Sequence, residues 1–231
     1  MSYDWRMSVE LIDLSHPIEH GMLTYPGLPG PVIADHLSRA ASRERYRGEA
    51  EFHIGRIDMV ANTGTYIDAP FHRFEDGPDI GQLPLARVAG LRGVLVHLPS
   101  DRRALEVEDV AELELRGAAL VVQTGWSRHW RSEAYAQADH PYVSRAAAQH
   151  LAGSGVALVG IDSVNIDDMA DASRPAHTLL LRGGIPIVEH LTNLAALGDR
   201  PFTFFAVPAP VRGMGTFPVR AFAVAGQPAA R

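Results

Sequence analysis

Short apolar runs recur along this chain, stop at glycine or polar acceptors, and have helix-spaced segments between them. No other feature limits the fold as much, because interleaved strands and helices bury their apolar faces as an α/β domain. Residues 8–14 partly alternate and read as a strand. A loop rich in proline and glycine follows over 16–31, and the arginine-rich stretch 36–50 is expected on the surface. Residues 51–61 alternate and predict a half-buried strand. The runs 93–98, 118–124 and 156–161 predict buried strands. Residues 107–115 have helix-like spacing, and 144–153 read as a helix capped by Ser144 and ended by Gly153 or Gly155. Residues 187–197 read as a helix or helical turn with a loop, and 202–208 and 219–224 supply the last strands. No linker divides the sequence, so 1–231 is expected to be one domain.

The 231 residues contain no cysteine, which removes disulfides, thiolate metal sites and a cysteine nucleophile. All 21 basic residues are arginine, so there is no Schiff-base or P-loop lysine. A net charge of −6 opposes a nucleic-acid partner. No apolar run reaches membrane-spanning length and the first residues lack an apolar signal core, so a cytoplasmic protein with no membrane partner is expected. The Gly-x-Ser-x-Gly nucleophile elbow is absent.

Three segments carry candidate chemistry. Residues 62–72, Asn-Thr-Gly-Thr-Tyr-Ile-Asp-Ala-Pro-Phe-His, place Asp68 and His72 four apart after a strand. A carboxylate and an imidazole suit Zn²⁺ or Mn²⁺. The same composition also makes an ordinary surface turn. Residues 160–168 end a buried strand in several polar acceptors, where α/β sheets commonly bind ligands, although turn and capping roles fit equally. In the third segment His177 precedes Glu189, which directly follows Ile-Pro-Ile-Val. An acid in that position needs a partner or a metal if buried, and is otherwise an exposed helix start.

Together these segments resemble the cyclase family of metal-dependent hydrolases, which includes bacterial kynurenine formamidases and isatin hydrolases. Residues 62–72 match its motif His-x-Gly-Thr-His-x-Asp-x-Pro-x-His at Gly64, Thr65, Asp68, Pro70 and His72. Further likeness lies at 11–18, at Tyr25-Pro26-Gly27, at Gln123-Thr124-Gly125-Trp126, at 160–163 and at 218–221. The resemblance implies an α/β fold with a mixed β-sheet core and flanking helices, of the swivelling β/β/α type. It implies a homo-oligomer, a dimer or tetramer, acting on a small-molecule substrate by hydrolysis of a C–N amide bond through metal-activated water. It assigns Asp68, His177 and Glu189 to one divalent ion, zinc or manganese, and His72 to acid/base work. Asn62 and Tyr66 stand where the motif has two histidines, and neither a neutral amide nor a phenol replaces imidazole well as a zinc ligand. A metal-free binding protein or metal-independent enzyme, with Tyr66 filling the vacated space and bonded to Asp68 or Glu189, is therefore the alternative. Thr65, Tyr25 and His53 complete the expected pocket. His53 competes with a plain strand histidine, and Trp126 and Trp130 with core packing. His16, His20, His129, His140 and His190 are expected at the surface or behind the site.

Overall fold

The computed structural model describes residues 10–226. Its strands are β1 (Glu10–Asp13), β2 (Val32–Leu37), β3 (Ile54–Asp58), β4 (Tyr66–Asp68), β5 (Leu91–His97), β6 (Ala104–Leu105), β7 (Ala118–Gln123), β8 (Tyr142–Val143), β9 (Leu158–Ile161), β10 (Ile187–Glu189), β11 (Phe202–Phe205), β12 (Thr216–Pro218) and β13 (Phe222–Ala225). The helices are α1 (Arg39–Arg45), α2 (Arg145–Ser154) and α3 (Pro175–Arg182). Nine strands form one sheet in the order β1-β13-β11-β5-β7-β9-β10-β4-β12. Its middle, β5-β7-β9-β10, is parallel and both flanks are antiparallel. This is the mixed α/β sheet expected from the sequence.

Strand alternation sends side chains to two cores. Along β7, Ala119 and Val121 join Ile67, Leu158, Val188 and Phe204 on one face. Leu120 and Val122 join Ile161, Ile187, Leu151 of α2 and Leu180 of α3 on the other. Leu151 and Leu180 are fully buried, each contributing about 1.5–3 kcal/mol of apolar transfer. Helix α2 starts and stops as predicted. The Ser144 hydroxyl accepts the Ala147 N–H, and Gly155 closes the helix at φ 79, a conformation that costs glycine nothing.

Four elements differ from expectation. The strand near 51–61 is β3, and it is exposed along its whole length because it pairs only with β2, outside the main sheet. Residues 107–115 give one 3-10 turn, Val107–Asp109, where the Asp109 carboxylate accepts the Glu106 N–H and also pairs with Arg102. A side chain that satisfies the backbone locally competes with helix growth. The segment 187–197 splits into β10, His190 at φ 56, and a 3-10 turn at Leu194–Leu197. Helix α3 is additional, with Pro175 in its first turn and its cap supplied from a distance, by Asp167.

Candidate active site

Strand β4 lies between β10 and β12, with Tyr66 opposite Glu189 and Asp68 opposite both Ile187 and Thr216. Because Ile67 enters the core on one face, Tyr66 and Asp68 point to the other, the face covered by α3. Glu189 shares that face with Ile187. Three polar side chains are thereby held under a helix that carries His177 on its first turn.

Asp167 fixes that helix and that histidine at once. Its carboxylate accepts the Ala176 N–H at 2.5 Å, the His177 N–H at 3.1 Å and His177 Nδ1 at 2.6 Å. With Nδ1 committed, Nε2 faces Asp68 Oδ2 and Glu189 Oε1, each at 3.7 Å. Asp68 Oδ2 is buried with no hydrogen-bond partner. Two donors bound about 2.1 Å from one ion sit about 3.4–3.7 Å apart at ordinary ligand angles. A histidine oriented by a carboxylate behind it is also the usual arrangement at metal sites. The orphaned oxygen, the 3.7 Å spacings and the donor types fit a divalent ion.

Electrostatics point the same way. Burial works against charge on His177, yet the hydrogen bond to Asp167 and the nearby carboxylates of Asp68 and Glu189 raise its pKa to about 10. Burial also opposes ionisation of Asp68, but His72, His177 and the Thr216 hydroxyl hold its carboxyl below the usual range. Burial lifts Glu189 to about 7, against the pull of His177. Buried carboxylates at this density demand positive charge nearby, which a proton on His177 or a divalent ion can supply.

His72 follows Pro70 in a 3-10 turn and is partly exposed, at 35% of its side chain. The Thr216 hydroxyl bonds both Asp68 Oδ1 and, at 2.8 Å, His72 Nδ1. A hydroxyl has one proton, and ionised Asp68 must receive it. His72 Nδ1 therefore donates to Thr216, and neutral His72 keeps its lone pair on Nε2. This approach requires Gly215, where a Cβ would lie 2.5 Å from the His72 Cα and N.

Tyr66, at the sequence position of a motif histidine, donates its hydroxyl to Glu189 Oε2 at 2.7 Å. The other oxygen, Oε1, accepts the Ile166 N–H at 2.6 Å. Behind Tyr66, His190 Nε2 lies 3.3 Å from its hydroxyl, and Tyr135 bonds His190 Nδ1 at 2.8 Å. Burial, with Glu189 and Asp68 beside it, pushes the Tyr66 phenol well above its usual value, so it stays protonated. His190 and His140 are fully buried, not surface residues.

A cavity of about 420 Å³ opens over this cluster, with Tyr25, Asn62, Tyr66, His72, His177 and Glu189 among its walls. Asn165, from the acceptor-rich segment 160–168, also lines it, as do Arg73 and Arg174, which sequence reasoning had not selected. Asp167 lay within a segment already marked for its acceptors, but its bond to His177 depends on folding. Two expected pocket residues are elsewhere. Thr65 is buried, donating to the His190 carbonyl at 2.6 Å and accepting the His16 N–H at 3.0 Å. Its position on the opposite side from Tyr66 follows from strand alternation. His53 is half-exposed and bonded to Asp35 at 2.8 Å, on the hairpin made by β2 and β3.

His16 stacks on Trp130 at 3.9 Å, and burial with Arg131 nearby lowers its pKa to about 4. The unfolded chain would take up that proton near pH 6.5. Stability from this group is complete above pH 6.5 and declines as pH falls toward 4, by at most about 1 kcal/mol per pH unit after discounting partial exposure. Denaturant unfolding at pH 7 and 4.5 is expected to show a smaller drop for His16→Gln than for wild type. Equal drops would refute it.

The sheet and its buried cluster of one histidine and several carboxylates define an α/β enzyme with a metal-type site. The family model described as Putative cyclase matches residues 12–168, and the chain belongs to that family. Kynurenine formamidase from Geobacillus thermodenitrificans is 29% identical over 91% of this chain and 95% of its own length. The Bacillus cereus kynurenine formamidase is 27% identical over 92% and 96%. A solved potential metal-dependent hydrolase with cyclase activity superposes with a TM-score of 0.78 at 25% identity, covering 96% of this chain and all of the other. Isatin hydrolase A from Labrenzia aggregata shares the fold, with a TM-score of 0.80 at 22% identity over 95% and 94%. The chain is thus a hydrolase of the cyclase family.

Proposed function

We propose that this enzyme hydrolyses a C–N amide bond in a small cyclic or N-acyl substrate, aromatic in part. One divalent ion, zinc or manganese, is held by Asp68, His177 and Glu189, and His72 is the acid/base. The observation that carries this reading is the unpartnered Asp68 Oδ2 facing His177 Nε2 across 3.7 Å. The ion, when bound, would lower the pKa of its water to about 7 and polarise a carbonyl oxygen. Asp167 keeps His177 in the ligating tautomer. Thr216 keeps the His72 lone pair on Nε2, from which His72 takes a proton from water and returns it to the leaving nitrogen. Tyr25 and Tyr66 supply aromatic wall for the substrate.

One observation favours a second role for His72. One donor atom each from Asp68, His72 and His177 lies within 4.8 Å of the others, so His72 can also serve as a ligand. The metal-free reading rests on Tyr66, which already satisfies Glu189. Hydrolysis of N-formyl and cyclic aromatic amides, with EDTA and with added Zn²⁺ or Mn²⁺, tests the main proposal. Loss with chelator and recovery with metal are expected. Turnover indifferent to both would support the metal-free reading.

We further propose a cytoplasmic homo-oligomer, dimer or tetramer. Ile33, Phe52, Ile54 and Ile57 on and beside the β2–β3 hairpin are 44–53% exposed, an apolar surface suited to a second copy. Sedimentation showing only monomer at micromolar concentration would remove that proposal. Among the described residues no helix is long and apolar enough to cross a membrane.

A further inference from the structure

Asn165 stands in the wall of the cavity over the cluster, and only 8% of it is exposed. Its Oδ1 accepts the Asp167 N–H at 2.9 Å. A backbone N–H bonds only an acceptor, so that contact fixes which way the amide faces. It is the one hydrogen bond of this side chain among the described residues, which leaves both protons of Nδ2 uncommitted. The next two residues are anchored at the same centre. The Ile166 N–H bonds Glu189 Oε1, and the Asp167 carboxylate holds His177. Nδ2 is therefore a buried donor, oriented by its own turn, in the wall of the cavity.

The other donors at the cluster are committed. Tyr66 donates to Glu189, His72 Nδ1 donates to Thr216, and the Asn62 amide reaches Tyr66. His177 is spent on Asp167 and the two carboxylates. Arg73 is exposed and Arg174 half-buried, and such long side chains must be ordered before they hold a ligand. A carbonyl oxygen gains negative charge when water attacks its carbon, and a donor already fixed beside it stabilises that charge without reorganising. Taking the amide-hydrolase reading as given, we propose that Asn165 is a catalytic residue whose Nδ2 donates to the acyl oxygen of the substrate. As the C–O bond to water forms, the carbonyl π pair moves onto that oxygen beside Nδ2. The pair returns as the C–N bond breaks, and the nitrogen leaves with the proton carried by His72. The hydrogen bond strengthens as the charge develops, so it acts on kcat more than on KM.

The test measures formanilide turnover by metal-supplemented wild type, Asn165→Asp and Asn165→Ala. Asn165→Asp keeps the acceptor for the Asp167 N–H, and Asn165→Ala introduces no charge, so loss of Nδ2 is the one change they share. Both are expected to lower kcat by about 10²–10³-fold with KM within about threefold, the pattern of a lost oxyanion donor. Melting temperature and metal content are expected to stay near wild type. Turnover within about threefold of wild type in either variant overturns the proposal, and so does loss of the ion in both. Full activity in Asn165→Asp alone would assign the side chain to its turn. Calorimetric binding of N-phenyl methylphosphonamidate, whose tetrahedral phosphorus bears an anionic oxygen, gives a readout apart from turnover. Asn165→Ala is expected to bind it about 10–100-fold more weakly than wild type, as a lost charged hydrogen bond allows, with binding of aniline unchanged. If wild type fails to hydrolyse formanilide and the difference in phosphonamidate binding persists, only the hydrolase reading is defeated. Equal hydrolysis by all three proteins, or equal phosphonamidate binding by wild type and Asn165→Ala, defeats the assignment of Asn165 alone.

Discussion

Asp68→Ala is expected to strip the divalent ion from the protein and to lower amide hydrolysis by at least about 10³-fold, the loss that follows when several kcal/mol of Lewis-acid stabilisation disappear. Asp68 is fully buried and stands at the centre of the cluster. Its Oδ1 anchors Thr216 and through it His72, while Oδ2 faces His177. Removing it costs a ligand and loosens the acid/base. Metal content after dialysis, measured beside kcat, checks the prediction, and circular dichroism verifies that the sheet persists. An Asp68→Ala protein that keeps one tightly bound ion per chain would place the metal elsewhere.

His72→Ala is expected to reduce turnover by about 10²–10⁴-fold, the usual span for removing a general acid/base, while fold and metal remain. The side chain is partly exposed at the cavity wall and bonded through Thr216, so its removal leaves no large void in the core. Thr216→Val should give a smaller loss in kcat, because it frees the tautomer without removing the base. Two results would change the assignment. Turnover within about threefold of wild type would deny His72 any proton-transfer role. Simultaneous loss of the ion would make His72 a ligand, as its distance to Asp68 and His177 also permits.

What could be read from the sequence was whatever is local. The Ser144 cap, the Gly155 stop and the buried run of β7 follow from residues adjacent in the chain. The acid after Ile-Pro-Ile-Val does prove to be buried, and the Tyr66 hydroxyl does reach Glu189. Features that depend on distant partners were not legible. Helix α3 is capped by Asp167 from the preceding loop, and the run at 107–115 fails as a helix because Asp109 bonds the backbone and Arg102 instead. Exposure of β3 could not be read from its alternation, since that pattern does not say which sheet the strand joins. Thr216 and Gly215 sit far along the chain from His72, and only the pairing of β12 with β4 brings them to it. Arg73 and Arg174 look like two among 21 arginines until the fold places both in the wall of the cavity over the cluster.

The proposed ion site lies beside Tyr66, whose hydroxyl already bonds Glu189 Oε2. The most direct test is the number of divalent ions per chain, measured by mass spectrometry of the metals after loading with Zn²⁺ or Mn²⁺ and dialysis. Wild type is predicted to hold one ion, and Asn62→His with Tyr66→His to hold two, because the pair rebuilds the motif's missing imidazoles next to Glu189. Wild-type protein that retains none, or that already retains two, would contradict it.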